Sequence, residues 1–280
     1  MTGIAIVTGA SRGAGKGIAI ALGQAGMTVY VTGRSRARDD SPHGGTIGET
    51  ADMVDKAGGQ GIAVAVDHAD DAAVAALFER VRQEHGKLDI LVNNAAAVAT
   101  PSAGGFWEQP LAAADLITVG LRSHYVASYY AAPLLIANGK GLIVNTGHYG
   151  ARCYYHGPAY GAQKAGADKM AADMARDLRP HNVAAISIWM GVMETERARA
   201  HLMTLAEEDR PAGKLASPQF PGRVIAATYG SSQRMALSGQ ALIDAELGAV
   251  LGVVDVDGSR PVSLRYTMGG PPELHRSLQA

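Results

Sequence analysis

The sequence predicts an α/β protein with one doubly wound, seven-stranded parallel sheet and helices on both faces. Short apolar, β-branched runs alternate with longer Ala-rich stretches along the 280 residues, as strands and helices do in such folds. The strand-like runs are continuously apolar, which indicates a sheet buried on both sides. The length allows one large domain or two small ones. We predict one domain, 1–248, with an extension at 249–280 packed on it, because no repeat or linker divides the chain.

The elements follow each other in a regular order. The predicted strands are Ile4–Val7, Thr28–Thr32, Ile62–Val66, Ile90–Val92, Leu142–Asn145, Ala184–Ile188 and Ala241–Ile243. The predicted helices are 13–25, 46–57, 71–85, 111–137, 160–178 and 218–229. Thr46 and Glu49 fit a capping box at the start of the second helix. The charged segment 191–217 follows the sixth strand at its carboxyl end, where open α/β sheets bind ligands.

Composition excludes several classes of protein. Apolar residues make up 47% of the chain and charged residues 18%, which is not the composition of a disordered chain. The formal charge of −1 does not favour a nucleic-acid partner. The single cysteine, Cys153, allows no intrachain disulfide and fits a reducing, cytoplasmic compartment. No targeting segment or membrane span is visible, and we predict neither a membrane partner nor a metal site.

The first strand runs into a glycine loop, Thr8–Gly15, that opens the first helix. Glycines let a backbone turn tightly and approach a pyrophosphate, whose charge meets the helix N-terminus. The strand–loop–helix context therefore predicts a dinucleotide site. A P-loop is excluded, because Ala10 and Gly17 stand where that motif needs Gly and Ser or Thr.

Arginines, and no acid, follow the second strand. NAD-preferring sites usually carry an acid here that binds the ribose 2′-hydroxyl, yet none occurs between 29 and 38. Arg34, Arg36 and Arg38 occur instead, and Arg12 lies in the glycine loop. Because guanidinium groups bind phosphates with charge-assisted hydrogen bonds, we predict NADP(H) as the cofactor. The alternative is that these arginines form a solvated loop.

Tyr160 and Lys164 begin a predicted helix, and their i, i+4 spacing places both on one face. An ammonium beside a phenol favours the phenolate and lowers the phenol pKa. Such a tyrosine can act as an acid or base near neutral pH. By itself the pair is also a common feature of helix surfaces.

Three segments together identify a family. Thr8–Gly15, Asn93-Asn94-Ala95 and the Tyr160/Lys164 pair stand in the order and spacing of the short-chain dehydrogenases/reductases, which the chain resembles over about residues 3–245. Phe106-Trp107-Glu108 and Val119–Tyr125 resemble one branch of this family. The resemblance implies a Rossmann fold, a small-molecule alcohol or carbonyl substrate, and a homodimer or homotetramer packed through helices 111–137 and 160–178.

The resemblance also implies individual roles. Tyr160 would be the catalytic acid/base, and Lys164 would hold the nicotinamide ribose and lower the Tyr160 pKa. Together with Arg34, the expected cofactor contacts are Gly9, Ser11, Arg12, Gly13, Gly15, Asp67, His68, Asn93, Ala95, Tyr160, Lys164, Val192 and Thr195. Met190-Gly191 stands where the family has Pro-Gly.

Two positions depart from the family pattern. The family has a Ser thirteen residues before the Tyr, and this chain has Gly147; Gly150 confirms that register. The family also has a helical Asn where this chain has Gly120. The Ser hydroxyl donates a hydrogen bond to the substrate oxygen, and removing one such donor from other enzymes slows them by ~10²–10³.

Neighbouring residues are candidates for the missing donor. We rank His148 first and Tyr154 second; alternatively both are pocket wall, or the register shifts so that Thr146 takes the Ser position. We expect Gly147, His148, Tyr154 and Met190 to contact substrate, and Cys153 to be unreactive. We expect the segment 191–217, the substrate loop, to cover the pocket. Apolar residues in and directly before this loop suggest a medium or bulky apolar carbonyl compound as substrate: Met190, Met193, Leu202 and Met203.

Two functions fit these observations. The first is an NADP(H)-dependent oxidoreductase that interconverts an alcohol and a carbonyl, or reduces an activated C=C or C=N bond. The second is an NADP-binding sensor or scaffold of feeble activity. Gly120 and Gly147 favour the second, whereas the retained Tyr160 and Lys164 favour the first.

Overall fold

The seven strands form one parallel sheet, as the sequence predicts, and they lie in the order β3-β2-β1-β4-β5-β6-β7. The computed structural model describes residues 3–97, 103–206, 214–273 and 276–278. The strands are β1 (Ile4–Val7), β2 (Thr28–Gly33), β3 (Gln60–Ala65), β4 (Ile90–Asn93), β5 (Gly141–Gly147), β6 (Val183–Trp189) and β7 (Ala241–Ile243). The chain turns back between β3 and β4, and the carboxyl ends of β1 and β4 flank that switch point.

Helices cover both faces of the sheet. They are α1 (Gly13–Gln24), α2 (Ile47–Lys56), α3 (Asp71–His85), α4 (Asp115–Ile117), α5 (Ser123–Ala137), α6 (Pro158–Leu178), α7 (Glu196–Leu202), α8 (Phe220–Gly230), α9 (Arg234–Leu237), α10 (Asp244–Leu251) and α11 (Arg265–Met268). The capping box at Thr46 and Glu49 is present. The sequence did not predict the short helices α7, α9, α10 and α11. In the described part of the chain no helix combines the length and apolar character needed to span a bilayer.

The helix predicted at 111–137 is interrupted. A 3₁₀ turn and α4 lead into a π-helical turn, Thr118–Arg122, before α5 continues. A π turn bonds residue i to i+5 and widens the helix, and it commonly lies at a functional site. Gly120 lies in the middle of this turn, where the absence of a side chain leaves its backbone open to α6.

Alternate strand residues face two apolar layers. Val7 and Val144 face α1, α2 and α8, whereas Ile6 and Ile143 face α3, α5 and α6. Both layers exclude water from the sheet centre, which matches continuously apolar strands. The edge strand β3 is only half-buried.

One glycine brings two strand ends together. Gly9 has φ +64°, and a Cβ there would lie 2.7 Å from Cα of Ala95. The loop after β1 can therefore lie directly on the segment that follows β4. This contact closes one side of the cleft described below.

Asp89 ties together three elements at the opposite end of the sheet. Its carboxylate is buried and accepts hydrogen bonds from Ile4 N (2.8 Å), Asn138 Nδ2 (2.9 Å) and the Tyr229 hydroxyl (2.5 Å). These partners belong to β1, the end of α5 and α8. The carboxylate thus anchors both helical layers to the sheet, far from the carboxyl edge.

We expect Asp89→Ala to lower the free energy of unfolding by about 3 kcal/mol, because the buried Ile4 N–H and Tyr229 hydroxyl and the partly buried Asn138 amide lose their charged acceptor. Urea denaturation measures this. Asp173→Ala is the matched control, since it removes an exposed i, i+4 pair with Lys169 and should change stability little. Equal effects of the two variants would contradict the role given to Asp89.

Candidate active site

Two connected cavities lie at the carboxyl edge of the sheet, each of about 1090 Å³. The inner cavity runs from the glycine loop to α6, and the outer cavity lies beyond it between residues 104–117 and 154–162. Three residues line both cavities and so join them: Ala97, Leu116 and His156. The predicted residues that line the inner cavity are Gly9, Ser11, Arg12, Gly13, Arg34, Asp67, His68, Ala95, Tyr160, Lys164, Met190 and Thr195.

The start of α1 already holds an anion. Gly13 N donates to Glu196 Oε2 at 2.9 Å, and Lys16 Nζ lies 3.5 Å from the other carboxylate oxygen. Helix N-termini bind negative groups because their first N–H groups are free and the helix dipole is positive there. The Glu196 carboxylate thus shows that this position fits an anionic oxygen. Sequence reasoning did not single out Glu196.

Gly15 has a packing role instead of a cavity-lining one. A Cβ at this position would lie 2.4 Å from Asn94 Nδ2 and from Gly9 O. The glycine therefore lets α1 start close against the loop. Gly15 does not line the inner cavity, so the structure does not match the prediction that Gly15 contacts the cofactor.

The arginines at the far end of the inner cavity differ in what they contact. Arg12 donates to Gly44 O (2.6 Å), Gly45 O (3.1 Å) and Ser35 Oγ (2.6 Å), so its guanidinium holds the 35–45 loop in place. Arg34 is 76% exposed and has only a long contact, 3.8 Å, with Asp67. Arg34 is therefore the more available cation for a ligand at this end.

An acid outside the predicted window also lines the inner cavity. Asp40 accepts hydrogen bonds from Arg36 N and Ala37 N at 2.6 and 2.9 Å. These two N–H groups lower the pKa of the Asp40 carboxyl below its usual range. One of its oxygens is committed to the backbone of its own loop.

The prediction that the Asn93 side chain contacts the cofactor is wrong, because this side chain points away from the inner cavity. Asn93 is fully buried, and its amide donates to Ser128 Oγ and Asn145 Oδ1 at 2.9 Å, so it braces β4 against α5 and β5. Side chains alternate between the two faces of a strand, and position 93 faces the helical layer. Asn94 lines the inner cavity and donates to Thr8 O and Gly9 O.

Two predicted residues line the inner cavity beside β3. Asp67 accepts a hydrogen bond from Ala69 N at 3.0 Å, which shapes the turn after that strand. His68 is buried with Nε2 2.8 Å from Thr32 Oγ1, and burial lowers its pKa to about 4. His68 is therefore neutral at physiological pH and acts through shape, not charge.

Tyr160 and Lys164 lie on one face of α6 and both line the inner cavity. Lys164 Nζ donates to Thr146 O at 2.9 Å, and burial lowers the Lys164 pKa to about 8. The pKa of Tyr160 is raised by burial, with smaller contributions from Tyr155 and Cys153. The predicted lowering by Lys164 is not seen, because Nζ lies 5.5 Å from the ring centroid and burial outweighs it. Tyr160 therefore keeps its proton at neutral pH.

Gly147 lies under a tryptophan. It pairs with Trp189 across β5 and β6, and a Cβ at 147 would lie 2.5 Å from Trp189 Cδ1. The indole Nε1 lies 3.0 Å from both oxygens of buried Asp168 on α6, which holds the ring in place. A serine at 147 would require Trp189 to move. Gly147 lines neither cavity, so the structure does not match the prediction that Gly147 contacts the substrate.

His148 lies against Tyr160 with 5.6 Å between ring centroids. Its Nδ1 accepts a hydrogen bond from Gly150 N at 2.9 Å, so a neutral ring carries its proton on Nε2. Burial and the nearby Lys164 lower the His148 pKa to about 3, so the ring is neutral. His148 contacts the Tyr160 ring and does not line either cavity.

The other donor candidates are placed differently. Tyr154 is 88% exposed and lines the outer cavity. Thr146 Oγ1 donates to Asn93 O at 3.2 Å, so its proton is committed within the sheet. His156 lines both cavities with its ring 5.3 Å from that of Tyr160.

The apolar wall comes mainly from residues before α4. Exposed Phe106, Trp107, Leu111 and Ile117 line the outer cavity, which has few polar groups. Of the predicted substrate-loop residues, Met190 and Met193 line the inner cavity, whereas Leu202 and Met203 line neither. Half-exposed Val192 also lines neither cavity, which does not match its predicted cofactor contact. Residues 207–213 of that loop lie outside the described residues.

Comparison with known proteins identifies the family of this chain. A sequence profile of the short chain dehydrogenase family matches residues 3–204. Dehydrogenase/reductase SDR family member 1 from Mus musculus is 38% identical over 283 aligned residues, which cover 95% of this chain and 87% of the relative. Its Homo sapiens counterpart is 37% identical, with 92% and 84% covered. This is the branch indicated by the segments at 106–108 and 119–125, so that prediction is confirmed.

A solved structure agrees with the sequence relatives. A putative dehydrogenase from Xanthomonas campestris superposes with a TM-score of 0.78 at 26% identity, covering 92% of this chain and 93% of its own. Members of this family are oxidoreductases that bind a nicotinamide cofactor and act on small molecules. The glycine loop, the Rossmann sheet and the Tyr160/Lys164 pair place the chain in the same group: it belongs to the short-chain dehydrogenase/reductase family.

Proposed function

We propose that this chain is an NADP(H)-dependent oxidoreductase that interconverts an alcohol and a carbonyl, with Tyr160 as the acid/base. The observation that carries this proposal is that Tyr160 and Lys164 line one cavity together with the glycine loop. The phenol keeps its proton at neutral pH, which suits the donation of a proton to a carbonyl oxygen.

The inner cavity has the donors that the cofactor needs. The Glu196 carboxylate occupies the N–H of Gly13 at the start of α1, and a pyrophosphate oxygen would take its place there. Arg34 is exposed beside Asp67 and offers a guanidinium to a ribose 2′-phosphate. When bound, the nicotinamide supplies or accepts a hydride.

Side chains of this protein would supply the proton that the carbonyl oxygen needs. As a hydride is delivered to the carbonyl carbon and the electron pair of the C=O π bond moves to the oxygen, Tyr160 would donate its proton to that oxygen. The ammonium of Lys164 stabilises the phenolate that remains. His148 lines neither cavity, but its ring lies 5.6 Å from that of Tyr160. Its Nε2–H, with the tautomer set by Gly150 N, would therefore donate at the oxygen end of this step in place of the family's Ser.

The outer cavity suggests the substrate class. Its wall of Phe106, Trp107, Leu111 and Ile117 would bury apolar surface, and its few polar groups favour an uncharged compound. We propose a bulky, apolar ketone or aldehyde whose carbonyl reaches Tyr160 past His156.

The exposed face of α5 suggests a second copy as partner. Tyr125 and Tyr129 are 57% and 65% exposed on this helix. Solvent-exposed aromatic side chains near each other are typical of interfaces. A homodimer or homotetramer packed through α5 and α6 remains our proposal.

We expect Tyr160→Phe to lower turnover by about 10²–10⁴-fold, because it removes the proton donor and keeps the ring. NADPH oxidation over a panel of bulky apolar ketones and aldehydes measures turnover, and fluorescence titration checks that NADPH binding is retained. If NADPH binds but no compound gives Tyr160-dependent turnover, the enzyme proposal is wrong. The sensor or scaffold function would then be favoured.

We expect Arg34→Ala to weaken NADPH binding by about tenfold, since a charge-assisted hydrogen bond to phosphate is lost. Binding of NADH, which lacks the 2′-phosphate, should change much less. Arg36→Ala is the control, because Arg36 lies in the same loop and does not line the cavity. An unchanged ratio of NADPH to NADH affinity in Arg34→Ala would show that the phosphate assignment is wrong.

We expect His148→Phe to lower kcat by about tenfold or more, because the ring stays and its N–H donor is lost. His148→Gln, whose amide can donate from a similar position, should recover part of the rate. His156→Phe is the comparison, since His156 also packs on Tyr160. A larger loss in His156→Phe than in His148→Phe would assign the donor to His156 instead.

A further inference from the structure

Helix α7, at the start of the substrate loop, is weakly packed on the rest of the protein. None of its residues, Glu196–Leu202, is buried. An element without buried apolar contacts has little free energy holding it in place, and such elements open locally while the rest of the fold stays intact. The attachment of α7 therefore depends on its polar contacts.

One side chain makes those contacts. Glu196 Oε2 accepts a hydrogen bond from Gly13 N at 2.9 Å, and Oε1 lies 3.5 Å from Lys16 Nζ, so the carboxylate ties α7 to the first turn of α1. Arg199 pairs at 3.1 Å with Glu194, which belongs to the same loop. In the described part of the chain, Glu196 is the residue of α7 that bonds to another helix or strand.

The Glu196 side chain makes this contact as a carboxylate. Burial works to raise its pKa, but its own N–H, the Gly13 N–H and the Lys16 ammonium together lower the pKa below its usual range. A charged acceptor at a helix N-terminus forms a stronger hydrogen bond than a neutral one and also gains from the helix dipole. The single contact is thus strong enough to hold a helix that has no buried residue.

The donor in this contact is also the group that a dinucleotide needs. Gly13 and Glu196 both line the inner cavity, and the glycine loop presents the N-terminus of α1 to that cavity. The Gly13 N–H donates to one oxygen at a time, so a carboxylate and a diphosphate compete for it. Because Glu196 is part of the same chain, its effective concentration at this donor is high, and it lowers the apparent affinity of a diphosphate.

We propose that Glu196 is a latch: its carboxylate holds α7 against α1, and a diphosphate that accepts the Gly13 N–H displaces the carboxylate and releases α7. Thr195 and Arg197, on either side of Glu196, also line the inner cavity, so the release frees this part of the cavity wall. The inference rests on the proposed function for the identity of the cofactor, NADPH, whereas inorganic pyrophosphate tests the latch without that assignment.

The base of the substrate loop is anchored independently of the latch. Glu194 N donates to Ala216 O at 2.9 Å, which joins the two ends of the loop. Ser217 N donates at 2.7 Å to the buried carboxylate of Asp255, which lies in the C-terminal extension. Release of α7 therefore leaves the base of the loop in place, and Ala216 and Ser217 give an internal reference for any measurement on α7.

The first experiment measures the competition. We expect Glu196→Gln to lower the Kd for NADPH about tenfold in a fluorescence titration, because the charged competitor for the Gly13 N–H is removed. The Kd for inorganic pyrophosphate should fall by a similar factor in calorimetry. Glu194→Gln is the matched control, since it removes an exposed carboxylate from the same loop that pairs with Arg199, and it should leave both Kd values near wild type.

The second experiment measures the release through hydrogen exchange of the α7 amides. In wild-type protein pyrophosphate should speed exchange in 196–202 about tenfold and leave peptides that cover Ala216 and Ser217 unchanged. Glu196→Gln should show the faster exchange without pyrophosphate. Glu196→Asp keeps the charge but is one methylene too short to reach Gly13 N from the same backbone position, so it should release α7 as well.

Three results would overturn the latch. They are wild-type Kd values for NADPH and pyrophosphate in Glu196→Gln, α7 exchange in wild-type protein that pyrophosphate does not change, and wild-type exchange in Glu196→Asp, which would assign the effect to charge alone. Failure of the proposed function gives a different result. If wild-type protein reduces no carbonyl or prefers NADH, the proposed function fails, and pyrophosphate binding and α7 exchange still decide the inference.

Discussion

The site depends on burying one ammonium group, that of Lys164, between β5 and α6. Its one acceptor among the described residues is Thr146 O, so the strand end and the helix must keep a fixed separation. Two side-chain contacts hold that separation: Asn145 Nδ2 donates to Ala167 O at 3.0 Å, and Trp189 donates to Asp168. A buried cation is costly unless its hydrogen bonds are made. The packing of β5, β6 and α6 is therefore coupled to the chemistry of the cleft.

Burial sets the protonation states around this cation. His124 and His148 are held neutral, Tyr160 keeps its proton, and the Lys164 pKa falls to about 8. Desolvation disfavours the charged form of each group, and one ammonium 5.5 Å from the phenol ring does not offset it. The phenol of Tyr160 is therefore protonated at neutral pH, which suits the proton donation proposed for it, whereas the spacing of the pair alone suggested a lowered phenol pKa.

Gly120 and Gly147, the two glycines that depart from the family pattern, are closely packed and leave no empty space beside them. Trp189 lies over Gly147, and Gln163 lies over Gly120. In each case a large side chain from a neighbouring element occupies the volume that a smaller polar side chain would fill. Polar groups remain close to both: His148 follows Gly147 directly, and the Gln163 amide bonds to the backbone of Gly120. The departures therefore change which side chains fill these two volumes and, at Gly120, which element supplies the polar atoms.

The sequence by itself determined that seven strands form one parallel sheet, the bounds of β1, β7 and α3, and the glycine loop, because these depend on local apolar runs, caps and turns. It also identified the family and the Tyr160/Lys164 pair. Only the tertiary structure decided that Asn94 and not Asn93 faces the cleft, that a π turn divides the 111–137 helix, and that Trp189 and Gln163 occupy the glycine positions. Those features depend on contacts between elements distant in sequence, and no periodic pattern within one element encodes which side chain fills a shared volume.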